Sequence, residues 1–262
     1  MCRLSRSGLA LVLVSLAACS STSGGTGNPD GADAGGSSPN RDADGRSSPS
    51  DSPLSFVPSN VPIASSDARD DVVISARCEL DTDQGTIRCD GRPDVAGFGF
   101  RKIDQGNGAG MVALFAMHSL RIEPSGVLRV SGSVPLILFS ATVLDVLGGL
   151  DASSTTAGHA GGFISSSNGP GGGPGGGGGV SSHYNGGAGG TFCGVGGAGG
   201  VEVAPGLTAA GAYGSADVVP LFAGSAGGAG NALSLGGAGG GAVQLVAGSA
   251  AQAARSWWSH RA

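Results

Sequence analysis

One apolar pattern occurs twice in the chain, as LRIEPSGVLRV at residues 120–130 and as LDVLGGLDA at residues 144–152. Apolar and polar residues alternate in both copies, which is typical of strands with one buried face. The offset is 24 residues between the first leucines of the copies and 22 residues between the leucines that follow the glycines. Either offset is about one coil of a three-strand β-solenoid, so the repeat predicts parallel strands stacked in register.

Further short apolar segments accompany this repeat and are separated mostly by Gly, Pro or Ser. They are centred on residues 113–115, 120–122, 128–130, 136–138, 144–146 and 150–152. This spacing leaves no room for intervening helices, which excludes a βαβ arrangement. We predict an all-β fold, a right-handed parallel β-helix or solenoid-like module over residues 111–248 that carries long glycine-rich loops. The alternatives are a β-sandwich and a largely disordered glycine-rich region.

A hairpin with a disulfide is predicted before this module, in an entry region over residues 70–110. If Cys78 lies opposite Cys89, Leu80 pairs with Ile87 and a turn follows in which Gly85 takes positive φ. A disulfide between the two cysteines then closes a loop of about 12 residues and contributes about 2–3 kcal/mol. A metal site is the alternative, but neither a Cys-x-x-Cys pair nor a nearby histidine supports it.

The first residues have the pattern of an export signal. A short basic region precedes the apolar run LALVLVSL at residues 9–16, and the sequence LAAC at residues 16–19 ends it. That tetrapeptide resembles the lipobox of bacterial lipoproteins. The resemblance implies removal of residues 1–18 and attachment of membrane lipid to the thiol of Cys19, and Ser20 after it favours the outer membrane in a Gram-negative cell. An ordinary signal peptide cut after Ala18 is the alternative.

Residues 19–69 have the composition of a tether. They are rich in Ser, Gly, Asp and Pro, and they hold too few apolar residues to offset the entropy of ordering, which predicts disorder. A random coil of about 50 residues has an end-to-end distance of roughly 35–40 Å. Export also implies an oxidising compartment, in which disulfides persist.

The second half of the chain is dominated by glycine. The sequence GGAGG occurs at residues 186–190, 196–200 and 236–240. Three interpretations are open: a flexible linker, long loops that project from solenoid coils, or packed extended chains of the polyproline II type. We favour the loops, in which packed chains can coexist, because strand-like apolar patches interrupt the glycines. These patches lie at residues 192–193, 201–203, 218–222 and 243–246.

Several of these stretches together look like the glycine-rich surface proteins of myxobacteria. The similar stretches are GVLRVSGSVPLIL at residues 126–138, LDAS at residues 150–153, AYG at residues 212–214 and GGGAVQLVA at residues 239–247. The resemblance covers residues 71–248 and implies a β-helix or related solenoid at the cell surface. The GGA repeats are also similar, in composition alone, to mycobacterial glycine-rich surface proteins.

Charge and side-chain chemistry exclude several functions. A single lysine, Lys102, and a formal net charge of −5 argue against nucleic acid as a partner. No cofactor or metal ligand is predicted, because phosphate loops are absent and the four histidines lack metal-ligand spacing. One enzyme hypothesis can be assembled, in which Asp145 and Asp151 act with Arg121 and Arg129 on a polysaccharide. Solvated strand edges explain the same residues, so no catalytic site is predicted.

The last segment, residues 249–262, differs in composition from the glycine-rich sequence before it. Both tryptophans lie there, which is consistent with a truncated or frame-shifted reading frame or with a cap on an open solenoid end. We expect a lipid-anchored cell-surface protein with a structural or adhesive role, whose candidate partners are matrix polysaccharide and neighbouring surface proteins. The alternatives are a carbohydrate-active β-helix enzyme, a polysaccharide lyase or hydrolase, and a truncated gene fragment.

Overall fold

The structure is all-β with almost no helix. The computed structural model describes residues 58–60, 62–63, 67–154, 160–164, 171–179, 186–200, 210–230 and 235–253. The twelve strands of these residues are β1 (Asp71–Ile74), β2 (Arg77–Asp81), β3 (Thr86–Cys89), β4 (Gly99–Asp104), β5 (Met111–Met117), β6 (Ser119–Ile122), β7 (Val127–Ser131), β8 (Leu136–Ser140), β9 (Val143–Val146), β10 (Gly149–Asp151), β11 (Val243–Ala247) and β12 (Ala250–Ala253).

The strands form three four-stranded sheets. Sheet A has the order β1-β6-β9-β12, sheet B the order β10-β7-β2-β3, and sheet C the order β11-β8-β5-β4. The pairings are parallel except for the two hairpin pairs, β2 with β3 and β4 with β5. Following the chain, β1, β2 and β5 lie in sheets A, B and C in turn, and so do β6, β7 and β8 and then β9, β10 and β11.

The predicted register of the repeat is confirmed. Leu120 pairs with Leu144 in sheet A, and Leu128 pairs with Leu150 in sheet B, at the offsets that the sequence indicates. All six predicted strand centres between residues 113 and 152 fall on β5 to β10. Parallel stacking in register therefore organises the described part of the chain before residue 152.

One apolar core fills the space between the three sheets. Alternate residues of most of the parallel strands are buried in it, and equivalent positions of successive strands lie side by side. In sheet C, Leu138 pairs with Phe115 on one side and with Leu245 on the other, and all three side chains are at most 3% exposed. Full burial of one such side chain contributes about 1.5–3 kcal/mol, so these ladders account for much of the stability of the fold.

The entry hairpin forms as predicted. Cys78 pairs with Cys89 across β2 and β3, with Sγ atoms 1.96 Å apart, and Leu80 pairs with Ile87. Gly85 in the turn has φ +67°, and a Cβ atom on it would lie 2.2 Å from the ring of Phe100. Residue 85 is therefore glycine for two reasons, the positive φ and the ring that packs over it.

Some elements differ from the sequence-based expectations. β4, which pairs with β5, and β12, which lies within residues 249–262, were not predicted as strands. Of the four apolar patches of the second half, only residues 243–246 form a strand; residues 218–222 do not, Phe192 makes one isolated bridge with Gly194, and residues 201–203 lie outside the described residues. At residues 218–222 a side chain takes the place of a neighbouring strand: Leu221 N–H donates to Gln105 Oε1 at 2.7 Å, and Gln105 Nε2 donates to Leu221 O at 3.2 Å.

The end of the predicted tether contacts the folded part. Gln244 on β11 is fully buried, and its amide is paired on both sides: Asn60 Nδ2 donates to Gln244 Oε1 at 3.0 Å, and Gln244 Nε2 donates to Ser59 Oγ at 3.0 Å. A buried amide without partners is costly, so these residues stabilise sheet C. Residues 59 and 60, which belong to the predicted tether of residues 19–69, therefore contact sheet C.

Candidate functional site

The largest feature outside the three sheets is a set of glycine-rich segments, called here the glycine layer. It is formed by residues 171–179, 186–191, 196–200, 223–229 and 236–240. Backbone hydrogen bonds join its segments. Among the described residues, these segments form isolated β-bridges but no β-strand. The layer therefore has an order of its own, different from that of the sheets.

The hydrogen bonds of the glycine layer recur every third residue. The N–H of Gly186 donates to Gly200 O at 3.0 Å, and the N–H of Gly189 donates to Gly197 O at 2.9 Å. From one bond to the next, the residue number increases by three in one segment and decreases by three in the other, so the two segments are antiparallel. The same antiparallel spacing joins residues 224 and 227 to residues 240 and 237. Three residues per turn is the period of the polyproline II helix, so the spacing fits packed extended chains of that type.

Close packing explains why these positions are glycine. A Cβ atom on Gly239 would lie 1.7 Å from Gly224 O, and one on Gly187 would lie 2.0 Å from Gly228 O. Other positions are open: a Cβ atom on Gly237 or Gly240 would meet no atom within 4 Å. The layer thus has closed and open glycine positions, and any side chain at a closed one is excluded.

The glycine layer lies against the outer face of sheet C. There Leu114, Phe139 and Val246 are at most 1% exposed and pack with Leu221 and Ala223 of the second half. The three parallel strands of sheet C are consequently buried on both faces, which explains their unbroken apolar sequences MVALFAM, LILFS and VQLVA. The edge strand β4 is largely exposed. Sheet A shows the contrasting pattern, because buried and exposed residues alternate along β1.

A few polar side chains fix the segments of the glycine layer to one another and to residues 211–213. Thr191 Oγ1 donates to Gly211 O at 2.9 Å, and the backbone N–H of Gly175 donates to Ser225 Oγ at 2.9 Å. Tyr213 donates its hydroxyl to Ala223 O, and its ring packs edge-on against Phe192 at 5.4 Å. Burial raises the pKa of Tyr213 and so favours the neutral hydroxyl that donates this bond.

The four residues of the enzyme hypothesis form two separate pairs. Arg121 pairs in register with Asp145 on sheet A, and Arg129 pairs in register with Asp151 on sheet B. Each pair places opposite charges on neighbouring strands, an arrangement that supports the sheet. The two carboxylates belong to different sheets, so this register does not bring them to one face as a glycosidase mechanism requires.

One exposed carboxylate has a histidine and a serine beside it. His118 Nδ1 lies 2.8 Å from Asp71 Oδ1, and the Ser119 hydroxyl donates to the same oxygen at 2.5 Å. The bonds from Ser119 and then His118 hold the pKa of Asp71 below its ordinary value. Because both groups bind the carboxylate, the serine hydroxyl is not bonded to the imidazole, and the order of a nucleophilic triad is not present.

A second carboxylate, Asp83, ties three parts of the fold together. Its Oδ2 accepts from the backbone N–H of Ser133 at 2.7 Å, and its Oδ1 accepts from the Ser133 hydroxyl at 2.7 Å and from Lys102 Nζ at 3.2 Å. Burial raises the pKa of Asp83, but the bonds from Ser133 and Lys102 outweigh it and leave the pKa below its ordinary value. No local sequence pattern indicates this group, because Ser133 lies 50 residues from Asp83 in the chain.

We expect Asp83→Asn to destabilise the protein at neutral pH and to lose that effect in acid. The depressed pKa means that the carboxylate stabilises the fold above the ordinary value of 3.8 and that this contribution fades as pH falls below it. The free energy of unfolding at pH 7 should fall by about 1 kcal/mol, and the difference from the parent protein should shrink in urea titrations at pH 3. Asp94→Asn is the control, since that carboxylate is 65% exposed and lies 3.8 Å from Arg88; an equal effect at both positions would contradict the assignment.

The remaining predicted site residue, Cys19, lies outside the described residues. Within the described chain there is no helix long and apolar enough to cross a membrane, and no group of three or more His, Cys, Asp or Glu side chains is placed to hold a metal ion. No protein family, curated protein or solved structure matches this sequence. Its function is therefore argued from its own residues.

Proposed function

We propose that the three sheets are the faces of a right-handed parallel β-solenoid. The order in which the chain visits sheets A, B and C, three times before β12 returns to sheet A, supports this winding. The right hand follows from the general preference of parallel crossover connections. Two insertions interrupt the coils, the first with β3 and β4 and the second with the glycine layer.

We propose further that the protein is anchored to the cell envelope through acylated Cys19 and has a structural or adhesive role at the cell surface. Its partners there are matrix polysaccharide or neighbouring surface proteins. The observation that carries this proposal is the glycine layer against sheet C. It is an extended, low-charge surface held by backbone contacts, and such a surface suits contact with another extended polymer or protein.

The anchor is tested by acylation. In cells of a Gram-negative host fed a labelled fatty acid, the parent chain should carry the label and partition into detergent, because two or three acyl chains give stable membrane attachment. Cys19→Ser should carry no label and appear in the soluble fraction. Cys78→Ser is the matched control and should remain labelled; label on Cys19→Ser, or none on the parent chain, would reject the anchor.

The surface role is tested separately, with the anchor intact. Cells that display the parent chain should be retained on immobilised extracellular matrix more strongly than cells that lack it. Gly239→Ala, which places a methyl group 1.7 Å from Gly224 O, should reduce retention, whereas Gly240→Ala, at an open position, should not. Equal retention of cells with and without the protein would reject the adhesive role and leave the anchor result unaffected.

A further inference from the structure

A small polar cleft lies on the outer face of sheet C, at the edge formed by β4. Its volume is about 150 Å³, below the roughly 300–1,000 Å³ of sites for drug-sized ligands. It has room for one small group. Its lining includes Asp67, Arg69, Gly99, Arg101, Leu114 and Ala116.

The register of β4 and β5 creates this cleft. Gly99 pairs with Ala116 and Arg101 pairs with Leu114, so these four residues lie on one face of the hairpin. Gly99 contributes no side chain, and a Cβ atom there would lie 2.5 Å from Asp67 O. The missing side chain leaves the depression between the two arginines, over an apolar floor of Leu114 and Ala116.

The two arginines differ in how they are held. Arg101 Nη2 donates to Asp67 Oδ2 at 2.7 Å and to Pro62 O at 3.4 Å, which fixes the plane of that guanidinium. All its bonds to described residues pass through Nη2, so Nε and Nη1 remain as donors. Arg69 makes no hydrogen bond or ion pair with any described residue, and it lines the same cleft.

The charges of the cleft select the ligand class. Two guanidinium groups against the Asp67 carboxylate leave one positive charge in excess, in a chain whose formal net charge is −5. A guanidinium matches a carboxylate through two parallel N–H···O bonds. The Asp67 carboxylate beside them accepts hydrogen bonds, which suits hydroxyl groups next to the ligand's own carboxylate.

From this geometry we infer that the cleft binds the carboxylate of a hydroxylated acid of sugar size, a uronate. The uronate arrives either as a free monosaccharide or as one unit of an acidic polysaccharide, because the recognised group is the same in both. The inference goes beyond the proposed surface role and does not depend on the lipid anchor.

Binding is measured by calorimetry on the purified full chain with two probes, sodium glucuronate and polygalacturonate. Glucuronate should bind with a Kd on the order of 1–10 mM, and glucose should not bind. Arg69→Gln should weaken binding at least about tenfold, as expected for loss of hydrogen bonds to a charged group. Arg77→Gln, at an exposed arginine of sheet B, removes the same charge from outside the cleft and should leave the Kd unchanged.

The results distinguish a free acid from a polymer unit as the ligand, and they show whether the cleft is the binding site. Binding of both probes to the parent chain, lost together in Arg69→Gln, supports recognition of a polymer unit; binding of glucuronate alone supports a free acid. Arg101→Lys keeps the positive charge but loses the bidentate geometry of the guanidinium, so it should also weaken binding. Circular dichroism verifies that this variant is folded. Equal affinities for Arg69→Gln and Arg77→Gln, or no binding of either probe to the parent chain, overturn the inference.

Discussion

Replacing Gly239 by alanine should lower the free energy of unfolding by about 1–3 kcal/mol, the usual cost of forcing extra atoms into a packed region. The same replacement at Gly240 should leave it unchanged or raise it by about 0.4–1 kcal/mol, because alanine restricts the unfolded chain. The physical difference is space: the Cβ atom would lie 1.7 Å from Gly224 O at residue 239 and would meet nothing within 4 Å at residue 240.

The comparison uses two neighbouring residues with the same chemical change, so propensity and position in the sequence cancel. Urea unfolding followed by circular dichroism gives both free energies. If the glycine layer were a set of flexible loops, alanine would be tolerated equally at residues 239 and 240. A clear difference between the two variants would establish the packed arrangement in solution, and identical midpoints would refute it.

The parallel register was predictable because the repeat is local. Residues 120–130 and 144–152 are joined by a short connection, and their similarity survives in the side chains that face the core. The entry hairpin was predictable for the same reason: the turn around Gly85 and the two cysteines lie within a dozen residues. Patterns of this kind are visible in one sequence because neighbouring residues carry them.

The glycine layer was less predictable because glycine carries no side-chain pattern. The sequence GGAGG at residues 186–190 pairs with the copy at residues 196–200, yet nothing in either copy distinguishes closed from open positions. One signal was available: the unbroken apolar sequence of β5 and β8 indicates strands buried on both faces. Strands buried on both faces require another part of the chain to cover the outer face of sheet C. The glycine-rich segments are the long stretch of sequence that could provide this cover.

The polar groups were the hardest to foresee, because each joins residues that are far apart in the chain. Asp83 meets Ser133, and Gln244 meets Ser59 and Asn60, at separations of 50 to 185 residues. The cleft with Arg69 and Arg101 has the same character, since its walls come from segments that only the fold brings together. Side-chain chemistry at such distances follows from topology, which a local pattern does not contain.

Replacing Leu138 by alanine should lower the free energy of unfolding by about 2–5 kcal/mol, the usual cost of a cavity in a packed core. Leu138 is fully buried between Phe115 and Leu245, and Leu245 enters sheet C only after the whole glycine layer has been passed. The side chain therefore links the coil before the layer to the coil after it. Val73→Ala, at a side chain that is 53% exposed on sheet A, is the control and should change the free energy by little.

Because the same core joins both coils, the destabilisation caused by Leu138→Ala should extend to the glycine layer. Hydrogen exchange should accelerate by a similar factor at the amides of Leu245 and of Gly189 in the glycine layer, as expected when both open in one cooperative unit. Faster exchange at Leu245 with unchanged exchange at Gly189 would show that the layer is stable without sheet C. A shared acceleration would instead show that the glycine layer and sheet C open as one cooperative unit.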